Sequence, residues 1–438
     1  MKRLLYKELL NWKENESRKP LILNGARQVG KTWLLQSFGG AEYKKMAYIS
    51  CEKVSGLESV FADFDTGRIV RALSAISHVD ITPYDTLVVI DEVQEYPRAL
   101  TALKYFCEDA PEYHIAVAGS LLGVTLHRGV SFPVGKVDIL QLYPMTFSEF
   151  VEAVDGEQSA EILRSGDWPL ISSLHSHYVE LLRQYYFVGG MPGAVSSYCD
   201  GAGPAAVSKT HQRILQGYAD DFSKHADNKE VPRIKMIWEG IPRSLAKENK
   251  KFKYKDIQSG GRASQFELAL QWLMDTGLAY KVNRITEPRM PLKFYEEPSI
   301  FKLFMLDVGL LGQQMLVPAE NVLVGDNIFS EYKGAFTEQY VFSQMVTTDI
   351  RIHYFSSNDS RVEVDFVVQI GSDIIPIEAK SEENVRSKSL KTYVEKYPGL
   401  KGVRFSMKPY IDQGWMENIP LYAVETFVNK KKECEYGR

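Results

Sequence analysis

At 438 residues the chain is longer than one hydrophobic core usually serves, so about two to four domains are expected. Apolar residues make up 45% and charged residues 25%, which is ordinary globular usage and excludes a low-complexity or disordered chain. Lys plus Arg number 52 against 56 Asp plus Glu, a net charge of −4 that excludes a general polyanion binder, so any basic surface must be local. No apolar run approaches the roughly 20 residues of a membrane span, and the opening MKRLLYKELLNWKENE is charged rather than signal-like. No membrane partner and a cytoplasmic location are therefore expected. Cys51, Cys107, Cys199 and Cys434 lie far apart, and none of the eight His pairs at metal-ligand spacing, so neither a disulfide framework nor zinc is expected.

Short β-rich runs alternate with amphipathic stretches over the first 150 residues, the pattern of a parallel sheet with crossover helices. Pro20 to Gly25, Lys45 to Ser50, Thr86 to Asp91, His114 to Gly119 and Lys136 to Leu142 read as strands, and their Val, Ile, Leu and Ala content suits strands covered on both faces.

The first of these strands ends in GARQVGKT: Gly25, Ala26, Arg27, Gln28, Val29, Gly30, Lys31 and Thr32, followed by the helix TWLLQSF. A strand, a glycine-rich turn and a helix N-terminus together point backbone N–H groups at a phosphate, so this is a P-loop in its proper context. Lys31 is placed to reach the β- and γ-phosphates, and Thr32 to offer its hydroxyl to Mg²⁺. Sixty residues after Lys31, the apolar strand LVVI ends in Asp91 and Glu92. Asp91 is the candidate magnesium carboxylate and Glu92 the candidate base for the attacking water. Ser120 ends the next strand and reads either as a sensor of the γ-phosphate or as a plain strand-end turn.

GARQVGKT, VVIDEVQ, AGSLL, LYPMTFSEF, FVGGMPGAV and KLFMLDVGLL together resemble a large, mostly uncharacterised group of prokaryotic AAA-type ATPases that carry a C-terminal domain of unknown function. The likeness runs over nearly the whole chain and implies ATP binding with a divalent ion. Where many members have Gly-Arg before the fifth strand, this chain has Gly135-Lys136, so Arg128, Lys136 and Arg183 become the arginine-finger candidates. A finger supplied by a neighbouring subunit stays open, and oligomerisation with it.

From Phe147 to about Asn228 the pattern turns helical, as a lid or connector would. From Val231 two helices and the strands YKVNRI and LKFYEE, joined by TEPRMP, spell a winged helix. Residues 231–300 hold 13 Lys plus Arg against 8 Asp plus Glu, and KENKKFKYK packs Lys247, Lys250, Lys251, Lys253 and Lys255 around Phe252 and Tyr254, a pattern suited to tracking DNA or RNA phosphates.

In the last segment Glu338 lies on a helix, Asp365 in VEVDFVV, and Glu378 and Lys380 in IPIEAKS, an order that resembles PD-(D/E)XK nucleases. Residues two apart on a strand share a face, so Glu378 and Lys380 point together and Asp365 can meet them. Asp365, Glu378 and Glu338 are thus candidate metal ligands beside Lys380. The expected architecture is an α/β multidomain chain: a P-loop ATPase core (1–150), a helical connector (151–230), a winged helix (231–318) and a PD-(D/E)XK-like α/β domain (319–438). The expected function is Mg²⁺-dependent ATP hydrolysis coupled to nucleic acid. The alternative is an ATP-driven switch or scaffold for a protein partner, without cleavage.

Overall fold

Five runs of β-branched and small apolar residues form strands β1 (Leu21–Asn24), β2 (Lys45–Ser50), β3 (Thr86–Asp91), β4 (His114–Gly119) and β5 (Asp138–Gln141). The structure is a computed structural model and describes residues 1–120, 123, 132–247, 249–323, 333–359, 361–381 and 387–436. Its Cα positions divide into two units, Met1–Tyr143 with Asp275–Leu278, and Pro144–Met274 with Ala279–Arg438. Among the described residues no helix is long and apolar enough to cross a membrane.

In the first unit the strands form one parallel sheet in the order β2-β3-β4-β1-β5. Alternation decides the faces: Ile22, Ala47, Ile49, Val88, Ile90, Ile115 and Val117 pack with Ile69, Leu73, Leu100, Leu103 and Phe106 from the helices Thr66–Ser77 and Pro97–Asp109. The helix Lys31–Glu42 packs on the opposite face, where a Cβ on Gly39 would lie 2.6 Å from Met46 Sδ and push that side chain aside. Strand register matters most for the site. Ser50 pairs with Asp91, Asp91 with Ala118, and Asn24 with Gly119, so all these strands end along one rim. In an open parallel sheet that carboxyl rim is where ligands bind.

The second unit begins with helices from Phe147–Val154 to Ala263–Asp275. The first is fixed by a reciprocal cap: the Glu149 N–H donates to Thr146 Oγ1 at 3.3 Å, and the Thr146 N–H to Glu149 Oε2 at 2.9 Å. Two motifs of the resemblance dock onto each other here. The buried Asp307 carboxylate accepts the Gly190 N–H at 2.6 Å and the Leu310 N–H at 2.9 Å. A Cβ on Gly189 would lie 2.3 Å from Asp307 Oδ1, which explains the glycine pair of FVGGMPG.

The remaining strands are β6 (Ala279–Ile285), β7 (Glu296–Met305), β8 (Ile352–Ser356), β9 (Glu363–Ile370), β10 (Asp373–Ala379), β11 (Gly402–Ser406), β12 (Ile411–Asp412) and β13 (Met416–Pro420). They make one sheet in the order β12-β13-β11-β10-β9-β8-β6-β7. The hairpin expected as a free wing is thus built into the same sheet as the C-terminal strands, through parallel pairing of β6 with β8, and the sheet crosses the boundary placed at 318. Its second strand also lies later than expected. LKFY forms a 3₁₀ turn with Phe294 83% exposed, and the strand runs from Glu296 to Met305, with an unbroken buried run from Phe301 onward. Gln339, on the helix Lys333–Val346, brackets the backbone of Met305, donating to its oxygen at 2.6 Å and accepting its N–H at 2.9 Å.

Candidate nucleotide site and a second charged cluster

The P-loop spans from the end of β1 to the first turn of the helix Lys31–Glu42. A Cβ on Gly25 would sit 2.3 Å from the carbonyl oxygen of Leu142, so backbone proximity excludes any side chain there. Left-handed conformations at Gln28 (φ 67°) and Gly30 (φ 97°) curl the loop onto the helix, a geometry in which successive N–H groups form an anion-binding concavity. Lys31 is 6% exposed, and its Nζ donates to the carbonyl oxygens of Gly25 and Ala26 at 2.8 and 2.9 Å. Burial lowers its pKa to about 8, opposed in part by Glu92 and Asp91.

The acidic pair lies where the register places it. The Thr32 hydroxyl donates to Asp91 Oδ2 at 2.7 Å, joining two motifs 59 residues apart. Glu92 adopts the left-handed region (φ 52°), an uncommon conformation for a non-glycine residue that turns the chain sharply after β3. Ser120 Oγ lies 3.4 Å from Glu92 Oε2, so the structure brings Lys31, Thr32, Asp91, Glu92 and Ser120 to one rim.

Three contributors escaped the sequence reading. Tyr48 donates its hydroxyl to the same Asp91 oxygen at 2.8 Å, and its pKa is raised by burial and by that bond. The signal was there in principle, since Tyr48 shares a face with Ser50, which pairs with Asp91. Gln94 donates Nε2 to Glu92 Oε2 at 2.6 Å, and it stands in the quoted VVIDEVQ. Arg3 donates to the Val29 carbonyl at 2.8 Å and the Tyr143 carbonyl at 2.6 Å, bracing the loop from behind. Nothing local in the sequence marks that last contact.

Of the arginine-finger candidates, Arg128 lies outside the described residues. Lys136 is paired with Glu108 at 3.0 Å, and Arg183 is exposed on the helix His175–Val188 of the second unit.

The C-terminal residues converge too, but with cations among them. Glu338 is 2% exposed, and its two oxygens meet two lysines, Lys250 on Oε1 and Lys302 on Oε2 at 3.2 Å. Lys302, which opens the quoted KLFMLDVGLL but was given no role there, also reaches Glu363 Oε1 at 2.9 Å. Burial pushes Glu338 up, but the two ammonium groups outweigh it and hold its pKa at about 2. Asp365 accepts the Ala379 N–H at 2.8 Å, and burial and then the charge of Glu338 raise it to about 7. Glu378 pairs with Lys380 at 3.1 Å.

The donor set therefore does not suit the expected metal. Both oxygens of Glu338 are engaged by lysines, one oxygen of Asp365 is engaged by backbone, and no group of three or more His, Cys, Asp or Glu among the described residues is arranged to hold an ion. The basic segment changes character for the same reason. Lys250 turns inward to Glu338, Lys247 pairs with Asp256 at 2.7 Å, and Phe252 is buried with its N–H on the Phe301 carbonyl at 2.9 Å. Lys247, Lys253 and Lys255 are the exposed members of the run, and of these Lys247 is the one held in the pair with Asp256.

Residues 17–151 match the AAA domain family. These residues are similar to AAA domains, and the unit that holds most of them has the parallel-sheet P-loop fold. Beyond this AAA domain, residues 179–321 match a domain of unknown function (DUF8612) and residues 333–428 another (DUF4143). A comparison with curated proteins finds no match. Among solved structures, a Walker-type ATPase of Pyrococcus abyssi is 15% identical with a TM-score of 0.46, over 71% of this chain and 94% of that one. The RuvB Holliday junction branch migration motor of Thermotoga maritima (14%, TM-score 0.27) covers 64% of this chain and 90% of its own. AMPPCP-bound DnaA from Aquifex aeolicus (16%, TM-score 0.29) covers 62% and 88%. At these scores the assignment of the AAA domain rests on the family match and on the geometry of the site.

Proposed function

We propose that the AAA domain binds ATP with Mg²⁺ and hydrolyses it. The observation that carries this is the 2.7 Å bond between Thr32 and Asp91, which unites the phosphate loop with the acidic strand end. The loop N–H groups and Lys31 bind the β- and γ-phosphates, exchanging the lysine's bonds to Gly25 and Ala26 for phosphate oxygens. Thr32 and Asp91 offer the oxygen donors that suit Mg²⁺, which when bound neutralises charge on the phosphates. Glu92 takes a proton from water, the water oxygen attacks the γ-phosphorus, the bond to the β-phosphate oxygen breaks, and ADP leaves. Tyr48 orients Asp91, and Ser120 stands at the side of Glu92.

A second reading is favoured by Gln94. With its amide on Glu92 Oε2 at 2.6 Å, the carboxylate is held away from water activation until that bond is released, as in a switch that ATP sets for a protein partner. Coupling to DNA or RNA is the remaining part of the proposal and rests on exposed Lys253 and Lys255. No cleavage is assigned to the C-terminal cluster. The test is calorimetric titration with a slowly hydrolysed ATP analogue and Mg²⁺: the parent chain binds, and Lys31→Ala loses most of the affinity. Equal affinity in the two would remove the P-loop assignment.

A further inference from the structure

We propose that a cavity at the strand ends of the C-terminal sheet, unconnected in its residues with the P-loop, is a binding site for a small organic phosphate such as a sugar phosphate or nucleoside monophosphate. The cavity has a volume of 620 Å³, inside the ~300–1,000 Å³ range of small-molecule sites. Three elements of the second unit wall it: the connection between β6 and β7, the start of β8 with the end of β9, and the last helix, Val424–Tyr436.

Its charge is one-sided. Lys293, Arg351 and Lys432 line it against a single acid, Asp349, an excess of two positive charges that matches a phosphate dianion and would leave a monocarboxylate under-neutral. Lys293 and Arg351 are exposed and form no ion pair with another described residue. Lys432 donates to the Thr348 carbonyl at 2.6 Å, which holds its ammonium at the wall. The nearby acids are occupied elsewhere. Glu296 accepts from His353 Nε2 at 2.7 Å, and Glu435 is turned to the backbone and hydroxyl of Ser372 at 3.0 and 2.9 Å.

The walls are also braced, as a binding site needs. Gln369 accepts the Leu292 N–H at 3.2 Å and donates to the Gly371 carbonyl at 3.2 Å, tying the hairpin connection to β9. Leu292 (1% exposed) and Ile370 (3%) give an apolar floor for the body of the ligand. Arg351 offers a planar fork to two phosphate oxygens, and Lys293 a flexible point charge beside it.

The test uses the full-length chain carrying Lys31→Ala, so that the P-loop does not contribute, and titrates AMP, ribose 5-phosphate and adenosine by calorimetry. The expected result is that both phosphates bind and adenosine does not. Adding Arg351→Ala with Lys293→Ala, two exposed positions, raises the Kd at least tenfold without changing the melting temperature. The proposal is overturned if neither phosphate binds, if adenosine binds as tightly as AMP, or if the double substitution leaves the affinity unchanged. Because that pair lies far in sequence from Lys31 and Glu92, failure here leaves the ATPase proposal standing, and loss of ATP binding in Lys31→Ala does not bear on this site.

Discussion

Replacing Lys302 with methionine removes an ammonium that is wholly buried (side chain 0% exposed) between Glu338 Oε2 at 3.2 Å and Glu363 Oε1 at 2.9 Å. Methionine matches the aliphatic stem, so the packing term is small and the loss is electrostatic. Breaking a buried ion pair from one side costs about 3–5 kcal/mol, because the remaining charge has neither partner nor water. Two features place this case near the lower end. Glu363 is 24% exposed and can hydrate, and Lys250 remains on Glu338. With a urea m-value near ~3 kcal/mol/M for a unit of this size, a loss of about 3 kcal/mol lowers the unfolding midpoint by about 1 M. A chain of two units does not unfold in one step, so the signal must come from the second unit alone. In a Trp12→Phe, Trp33→Phe background the fluorescence includes buried Trp238 and Trp272, both in that unit. Adding Glu338→Leu to Lys302→Met should recover part of the loss, since only the partly exposed Glu363 is then left opposite. Two results would refute the reasoning: a midpoint shift under ~0.2 M for Lys302→Met, or a rise in the parent's midpoint on adding Mn²⁺ that Glu338→Gln abolishes, since a ligand bound only to the folded form stabilises it.

His114 is buried, accepts or donates with the Tyr43 hydroxyl at 2.7 Å, and has its pKa lowered by burial from 6.5 to about 4. The unfolded chain therefore takes up a proton that the folded chain refuses between those values, so stability of the first unit falls as pH drops from about 6.5 to about 4. The melting temperature of His114→Gln should show a shallower fall over that window, and an identical slope would contradict the assignment. For the basic segment, a DNA or RNA affinity that depends on it should weaken and lose about two units of salt slope in Lys253→Ala with Lys255→Ala, read by fluorescence anisotropy at several salt concentrations. Lys250→Ala should instead act on the urea midpoint of the second unit, because its ammonium faces Glu338.

What the sequence made legible was local. GARQVGKT carries its strand, turn and helix within a dozen residues, and the run LVVID states both the apolar strand and its acidic end, so β1 to β4 and the residues at their carboxyl rim could be placed before any coordinates. Glu338, Asp365, Glu378 and Lys380 were expected to gather around a metal, and the structure sets lysines against these carboxylates. The cations that face Glu338 come from distant positions: Lys302 sits inside an apolar strand, 36 positions before Glu338, and Lys250 in a loop 88 positions before it. Tyr48 and Arg3 reach the P-loop site by the same kind of distant contact, over 43 and 26 positions in sequence. The misplaced hairpin strand has a different cause. LKFYEE has strand-like composition, but of LKFY Leu292 alone is buried whereas FKLFM is buried throughout, and tertiary burial overrode propensity.

The central claim is that Asp91 and Glu92 complete a hydrolytic ATP site with Lys31 and Thr32. The measurement that tests it most directly is phosphate release from Mg²⁺-ATP by the parent chain and by Glu92→Gln, each paired with retention of ATP on the protein. The account predicts that Glu92→Gln keeps ATP bound and slows release by about 100-fold or more, the usual size of a lost general base. Release from Glu92→Gln at the parental rate, with ATP equally well retained by both chains, would contradict it.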